Sequence, residues 1–169
     1  MFVLLCQEQK KEIMESEQTM GQLNFAQLLR IPFQALVAQL HERLVTNGYA
    51  DILPTHTIIF ALVGTEGMRL SDLAKRTQLT KQLLNYIVTA VEERGYVERL
   101  PDPLDGRGKI VRLTERGQQA AQVGREIIES IEREWVASLG LEDMRELRSL
   151  LERLVSVLGQ HQARSLLPE

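Results

Sequence analysis

The sequence predicts a mainly α-helical fold with a small β-hairpin wing, that is, a winged helix-turn-helix. Three observations predict it. Apolar residues recur at helical spacing over most of the chain. Two helical segments meet across a tight turn between Asp72 and Arg94. The second is followed at once by a strand, a turn-rich loop and another strand. With 169 residues and 44% hydrophobic content, the chain can bury one substantial core.

Residues 1–21 read as an N-terminal extension. Met1 to Cys6 is apolar but too short for a membrane span or for the apolar part of a secretory signal. A charged stretch, Glu8 to Glu17, follows, and Met14 or Met20 is as good a start of synthesis as Met1. Phe25 to Thr46 carries a helical stripe, in which Pro32 either kinks the helix or marks its first ordered turn. Asn47-Gly48 ends it, since both tolerate a left-handed backbone. Pro54-Thr55 predicts a helix to about Val63, capped by Thr55.

Gly64 and Gly67 break the chain before a very short strand at Met68 to Leu70. Ser71 is expected to cap a helix over Asp72–Thr77. Gln78 to Lys81 then turns into an amphipathic helix, Lys81 to Arg94, ended by Gly95. Tyr96 to Leu100 and Lys109 to Leu113 read as strands joined by a polar loop, Pro101 to Gly108. Thr114 is expected to cap a helix running to about Ser138 through Ala120, Val123, Ile127, Ile131 and Trp135. Gly140 separates it from a last helix, Leu141 to Leu158, with a Leu-rich stripe. No internal repeat is evident.

The net charge of −3 is unevenly spread. Met68 to Gly117 holds 10 Lys/Arg and 7 Asp/Glu, so a basic segment sits inside an acidic remainder. On a wheel of about 3.6 residues per turn, Leu83, Leu84, Ile87, Ala90 and Val91 face the core. Gln82, Asn85 and Thr89 face outward, flanked by Lys81 and Tyr86. Gln and Asn can pair with an adenine edge in two-pronged fashion, and Lys can reach guanine or phosphate. Thr80 and Lys81, at the helix start, suit a phosphate contact. The alternative is a merely solvated polar face.

In the wing, Gly106 and Gly108 flank Arg107 and would let a loop tip approach a surface closely, beside Lys109. An Arg on a narrow loop can enter a minor groove. Asp102 and Asp105 either brace the loop, through turn hydrogen bonds or an ion pair with a nearby Arg, or form an acidic turn without a partner. Nothing indicates an enzyme: there is no Gly-rich phosphate loop, zinc helix motif or nucleophile elbow. One cysteine and three scattered histidines offer no metal-ligand spacing, and neither cofactor nor metal is expected.

Leu73-Ala74-Lys75-Arg76, Val91-Glu92-Glu93-Arg94-Gly95-Tyr96-Val97-Glu98-Arg99, Pro101-Asp102-Pro103-Leu104-Asp105-Gly106-Arg107 and Val111-Arg112-Leu113-Thr114-Glu115-Arg116-Gly117 resemble the MarR family of bacterial transcription regulators. The Asp-x-x-Asp-x-Arg wing followed by Leu-Thr-x-x-Gly is specific in combination. The resemblance covers about Phe25 to Leu158 in helix order. It implies a domain over 22–158, with dimerisation helices at about 22–47 and 115–158, a DNA-binding lobe at about 55–114 and a tail at 159–169.

It further implies a cytoplasmic homodimer on a pseudo-palindromic double-stranded DNA site, with no membrane partner. Arg76 would lie near phosphate, Lys81–Arg94 in the major groove and Arg107 in the minor groove. Many such proteins are repressors released by a small aromatic effector. His41 and His56 would line the effector pocket, or else be ordinary surface or half-buried polar residues. Cys6 lies upstream of the first long helix, which argues against thiol sensing. The alternatives are an activator, or a winged-helix module that binds protein and not DNA.

Overall fold

The computed structural model describes residues 23–77, 79–103 and 105–164, with 105–107 and 160–164 described through their backbone alone. The N-terminal extension with Cys6, Gln78 of the turn and residues 165–169 of the tail lie outside the described residues. Two compact units divide at Gln39/Leu40. In the first, helix α1 (Phe25–Thr46) begins after Asn24, whose side-chain oxygen accepts from the Gln27 N–H. The helix runs through Pro32, so the proline does not mark its first turn. Phe25, Leu28 and Phe33 are exposed.

The second unit starts within α1, where Leu40 and Leu44 are buried. Gly48, at φ 90°, turns the chain out of the helix, as Asn47-Gly48 predicts. A 3-10 turn, Pro54–His56, precedes α2 (Thr57–Leu62). Thr55 therefore does not cap a helix: it lies inside the tighter turn that Pro54 begins. The order continues β1 (Met68–Arg69), α3 (Leu70–Thr77), α4 (Lys81–Glu93), β2 (Val97–Asp102), β3 (Asp105–Leu113), α5 (Glu115–Leu139) and α6 (Leu141–Arg164). Ser71 likewise lies inside α3, which starts directly from β1. Among the described residues no helix is long and apolar enough to cross a membrane.

The three strands form one antiparallel sheet in the order β1-β3-β2. The core gathers Ile52, Ile59, Val63, Leu73, Leu84, Val88, Val91, Tyr96, Val111 and Ile131. Tyr96, expected in the strand, instead precedes it and fills the centre, with Phe60 edge-on at 5.5 Å. Thr114 caps α5 by accepting from the Gly117 N–H at 3.1 Å, and Gly140 closes it at φ 92°. On α6, Leu147, Leu150, Leu151, Val155 and Leu158 are exposed.

Candidate nucleic-acid interface

Helix α4 starts cleanly because Thr80 has extended backbone and its hydroxyl oxygen accepts from the Leu83 N–H at 3.2 Å. Its hydroxyl hydrogen stays available as a donor. Leu84, Ile87, Val88 and Val91 are buried, which fixes the opposite face outward. Lys81, Gln82, Asn85 and Tyr86 are exposed there. Leu83 departs from expectation: it is 45% exposed. The buried stripe centres between Leu84 and Val91, with Val88 taking the core place that the wheel gave to Leu83.

Thr89 is half-buried, and its hydroxyl accepts from Arg99 of β2 at 2.9 Å. The same guanidinium donates to the Asn85 carbonyl at 3.3 Å and pairs with Glu92. Arg99 thus ties the wing strand to the exposed flank of α4 and occupies the Thr89 oxygen. Glu92 is drawn into this pairing.

The hairpin differs from the expected loop. Strand pairing continues past Leu100, through Pro101↔Lys109 and Asp102↔Asp105. Arg107 therefore lies within β3 and not at a loop tip. The register jump leaves Gly106, Arg107 and Gly108 without partners on β2. These residues bulge from the ladder, a device that re-aims a strand, and the two glycines ease it.

The Asp102 carboxylate, 2% exposed, pairs with Nε of Arg69 at 2.6 Å. This is the brace the sequence allows as one option, with its partner on β1. Asp105 belongs to the residues whose side chains are not described.

A cleft of about 320 Å³ lies between helix and wing. Arg69, Ser71 and Ala74 form one wall, Lys81, Leu84 and Asn85 the helix wall, and Gly108 and Lys109 the wing. The structure thus brings Lys81, Asn85 and Lys109 together. Arg76, Lys81 and Lys109 are exposed and make no ion pair among the described residues. By contrast, Arg43, Arg112 and Arg148 elsewhere in the second unit pair with Glu134, Glu98 and Glu132. Cations left unpaired beside amide side chains suit a polyanion.

Away from the cleft lining, the Tyr96 hydroxyl donates to Asp51 at 2.5 Å, and Arg116 donates to Asp51 and to the Tyr96 oxygen, each at 3.0 Å. The guanidinium lies 4.3 Å from the Tyr96 ring centre. Burial, and then the Asp51 carboxylate, push the Tyr96 hydroxyl up to about 12. Burial would raise Asp51, but the Tyr96 hydrogen bond and Arg116 outweigh it and hold the carboxyl below its ordinary value. The hub joins the end of α4 to the start of α5, so it sets where helix and wing sit.

His56 is buried, and its Nδ1 accepts from the Leu53 N–H at 3.2 Å. Burial and the nearby Arg94 lower its basicity. His41, on α1, is half-buried with Nδ1 enclosed and unpartnered. Neither histidine lines the cleft. Among the described residues no group of His, Cys, Asp or Glu could hold a metal ion.

Sequence reasoning missed Arg69 and Arg99. Arg69 lies 33 residues from Asp102, beyond any local spacing signal.

A helix-turn-helix closed by a three-stranded sheet, with its second helix and wing around one cationic cleft, defines a winged-helix fold. Residues 50–108 match the MarR family model. Over this lobe the chain is similar to the MarR family. It is 27% identical over 104 residues to the HTH-type transcriptional repressor Rv2887 of Mycobacterium tuberculosis, covering 62% of this chain and 75% of that one. It is 24% identical over 115 residues to the exopolysaccharide II synthesis transcriptional activator ExpG of Rhizobium meliloti, covering 68% and 58%. A cysteine-to-serine variant of MarR from E. coli, solved with operator DNA, shares the fold with a TM-score of 0.64 at 22% identity, over 76% of this chain and 91% of that one.

Proposed function

We propose that this chain is a sequence-specific, DNA-binding transcriptional repressor. It acts as a homodimer in the cytoplasm, with a small aromatic effector as the releasing signal. The observation that carries the reading is the shared cleft: Lys81 and Asn85 of α4 and Lys109 of β3 line one recess. A reading helix and a wing on one side of a subunit can grip a single duplex, the helix in the major groove and the wing beside it. The exposed leucines of α6 supply an apolar surface for a second copy. Two copies would place two reading helices about one helical turn apart, on a two-fold symmetric site. Repression is the reading because the relative with the higher identity is named a repressor; a promoter assay decides between repression and activation.

Within this reading, Arg76, Thr80 and Lys81 hold phosphate. Gln82, Asn85 and Tyr86 read bases, Arg107 and Lys109 serve the wing, and Thr89 acts through Arg99. The test is binding to a duplex recovered from a random-sequence library. Affinity is expected to fall steeply with salt, and Lys81→Ala to weaken every duplex alike and flatten the salt slope by about one. Asn85→Ala is expected to cost about 1–3 kcal/mol and to relax the preference at one base pair. Salt-independent binding, or no binding at low salt, would sink the reading in favour of a protein-binding module.

A further inference from the structure

Leu83 and Tyr86 give α4 an apolar edge that core packing does not use. Leu83 is 45% and Tyr86 73% exposed. Three residues apart, they are neighbours on one flank of the helix. The other flank, with Lys81 and Asn85, lines the cleft with the wing, so the apolar edge lies on the side away from the wing. Both residues belong to the first two turns, the end capped by Thr80.

The chemistry around this edge selects its occupant. Gln82 lies beside it on the helix; Lys81 on the other flank of α4 and Arg76 of α3 are exposed cations without ion-pair partners among the described residues. An apolar protein surface broad enough to cover α3 and α4 together would have to desolvate those cations without neutralising them. A duplex supplies phosphates for the cations and base edges for the amide. In the major groove it also offers one distinctive apolar group, the 5-methyl of thymine.

We propose that Leu83 and the ring of Tyr86 form a thymine-methyl-reading edge, so that each half-site carries a thymine that the first two turns of α4 recognise through its methyl group. The proposal rests on the DNA-binding reading above and names one determinant of its specificity.

The test uses the full chain and a duplex it recovers from a random-sequence library. Each preferred thymine is replaced in turn by deoxyuridine, which lacks only the methyl group. One thymine per half-site is expected to show about three- to fivefold weaker binding on replacement, the factor that burial of one methyl group implies. In Leu83→Ala that penalty should vanish, the variant binding thymine and uridine duplexes alike. Leu83→Met, which keeps apolar reach, should retain it. Leu83 lies outside the core and alanine suits a helix, so the variant is expected to melt with the wild type.

Uridine tolerated at every position, a recovered site without a preferred thymine, or an undiminished penalty in Leu83→Ala would overturn the proposal while leaving DNA binding intact. Failure to recover any duplex would overturn the DNA-binding reading and the edge with it. The uridine scan on the unaltered chain decides the matter even without the variants.

Discussion

Gly117→Ala is expected to destabilise the protein by about 3–5 kcal/mol, at the upper end for adding one methyl group to a packed site. A Cβ at this position would lie 1.9 Å from the Tyr96 carbonyl oxygen and 3.3 Å from a Leu113 methyl. The obstacle is backbone, which cannot swing aside as a flexible side chain would. That carbonyl is also held in place, since it accepts from the Thr114 N–H at 3.0 Å. Gly117 meanwhile gives its own N–H to the Thr114 hydroxyl.

The Leu-Thr-x-x-Gly motif therefore has a mechanical meaning. Thr starts α5, and Gly lets the turn after α4 press against its first turn. Gly124→Ala provides the control, because nothing lies within 4 Å of a Cβ there. In mid-helix that change should stabilise by about 0.5–1 kcal/mol. Urea unfolding of both variants checks the contrast; Gly117→Ala unfolding at the wild-type midpoint would show that the close approach is not real.

Arg69→Ala is expected to cost about 3 kcal/mol, the low end for removing one partner of a buried ion pair. The asymmetry of the pair sets both the size and the choice of variant. Arg69 is 41% exposed while Asp102 is 2% exposed. Deleting the Arg takes a cation away from a carboxylate that water barely reaches, whereas deleting the Asp leaves a guanidinium that water can reach. Asp102→Ala should therefore be the milder change, by about 1 kcal/mol or more.

The pair links β1 to the end of β2, with β3 between them in the sheet, and both partners line the helix-wing cleft. Loss of the brace frees the hairpin that carries Arg107 and Lys109. DNA affinity should thus fall in Arg69→Ala even under conditions where the variant is fully folded. Equal stability of the two variants by urea unfolding would mean that the guanidinium contributes little to holding the carboxylate.

The helix boundaries were legible because their signals are local. Phe25 to Thr46 is one helix with Gly48 beyond it, and Thr114 and Gly140 bracket α5. Starts that depend on neighbours were not legible. Ser71 offers a capping side chain, but β1 hands the chain directly into α3 at Leu70. The wing shows the limit of composition as a guide. Two prolines and two glycines argue for a loop over Pro101 to Gly108, yet cross-strand pairing carries β2 to Asp102 and returns β3 at Asp105.

The outward face of α4 could be drawn from periodicity except at its edge. There Leu83 and Val88 compete for the core, and tertiary packing decides. Arg69 with Asp102, Arg99 with Thr89, and Arg116 with Tyr96 and Asp51 are long-range pairings that no spacing rule connects.

The central claim is that α4 and the wing address one duplex from one side of the subunit. A cleavage reagent (iron–EDTA) tethered through a single cysteine, at Gln82→Cys in one protein and Lys109→Cys in another, both with Cys6→Ser, maps it directly. The expected result is two sets of cuts on the same recovered duplex, from the first tether in a major groove and from the second in the flanking minor groove, about half a helical turn or five base pairs away. Cuts from one tether alone, or no fixed offset between the two sets, would contradict it.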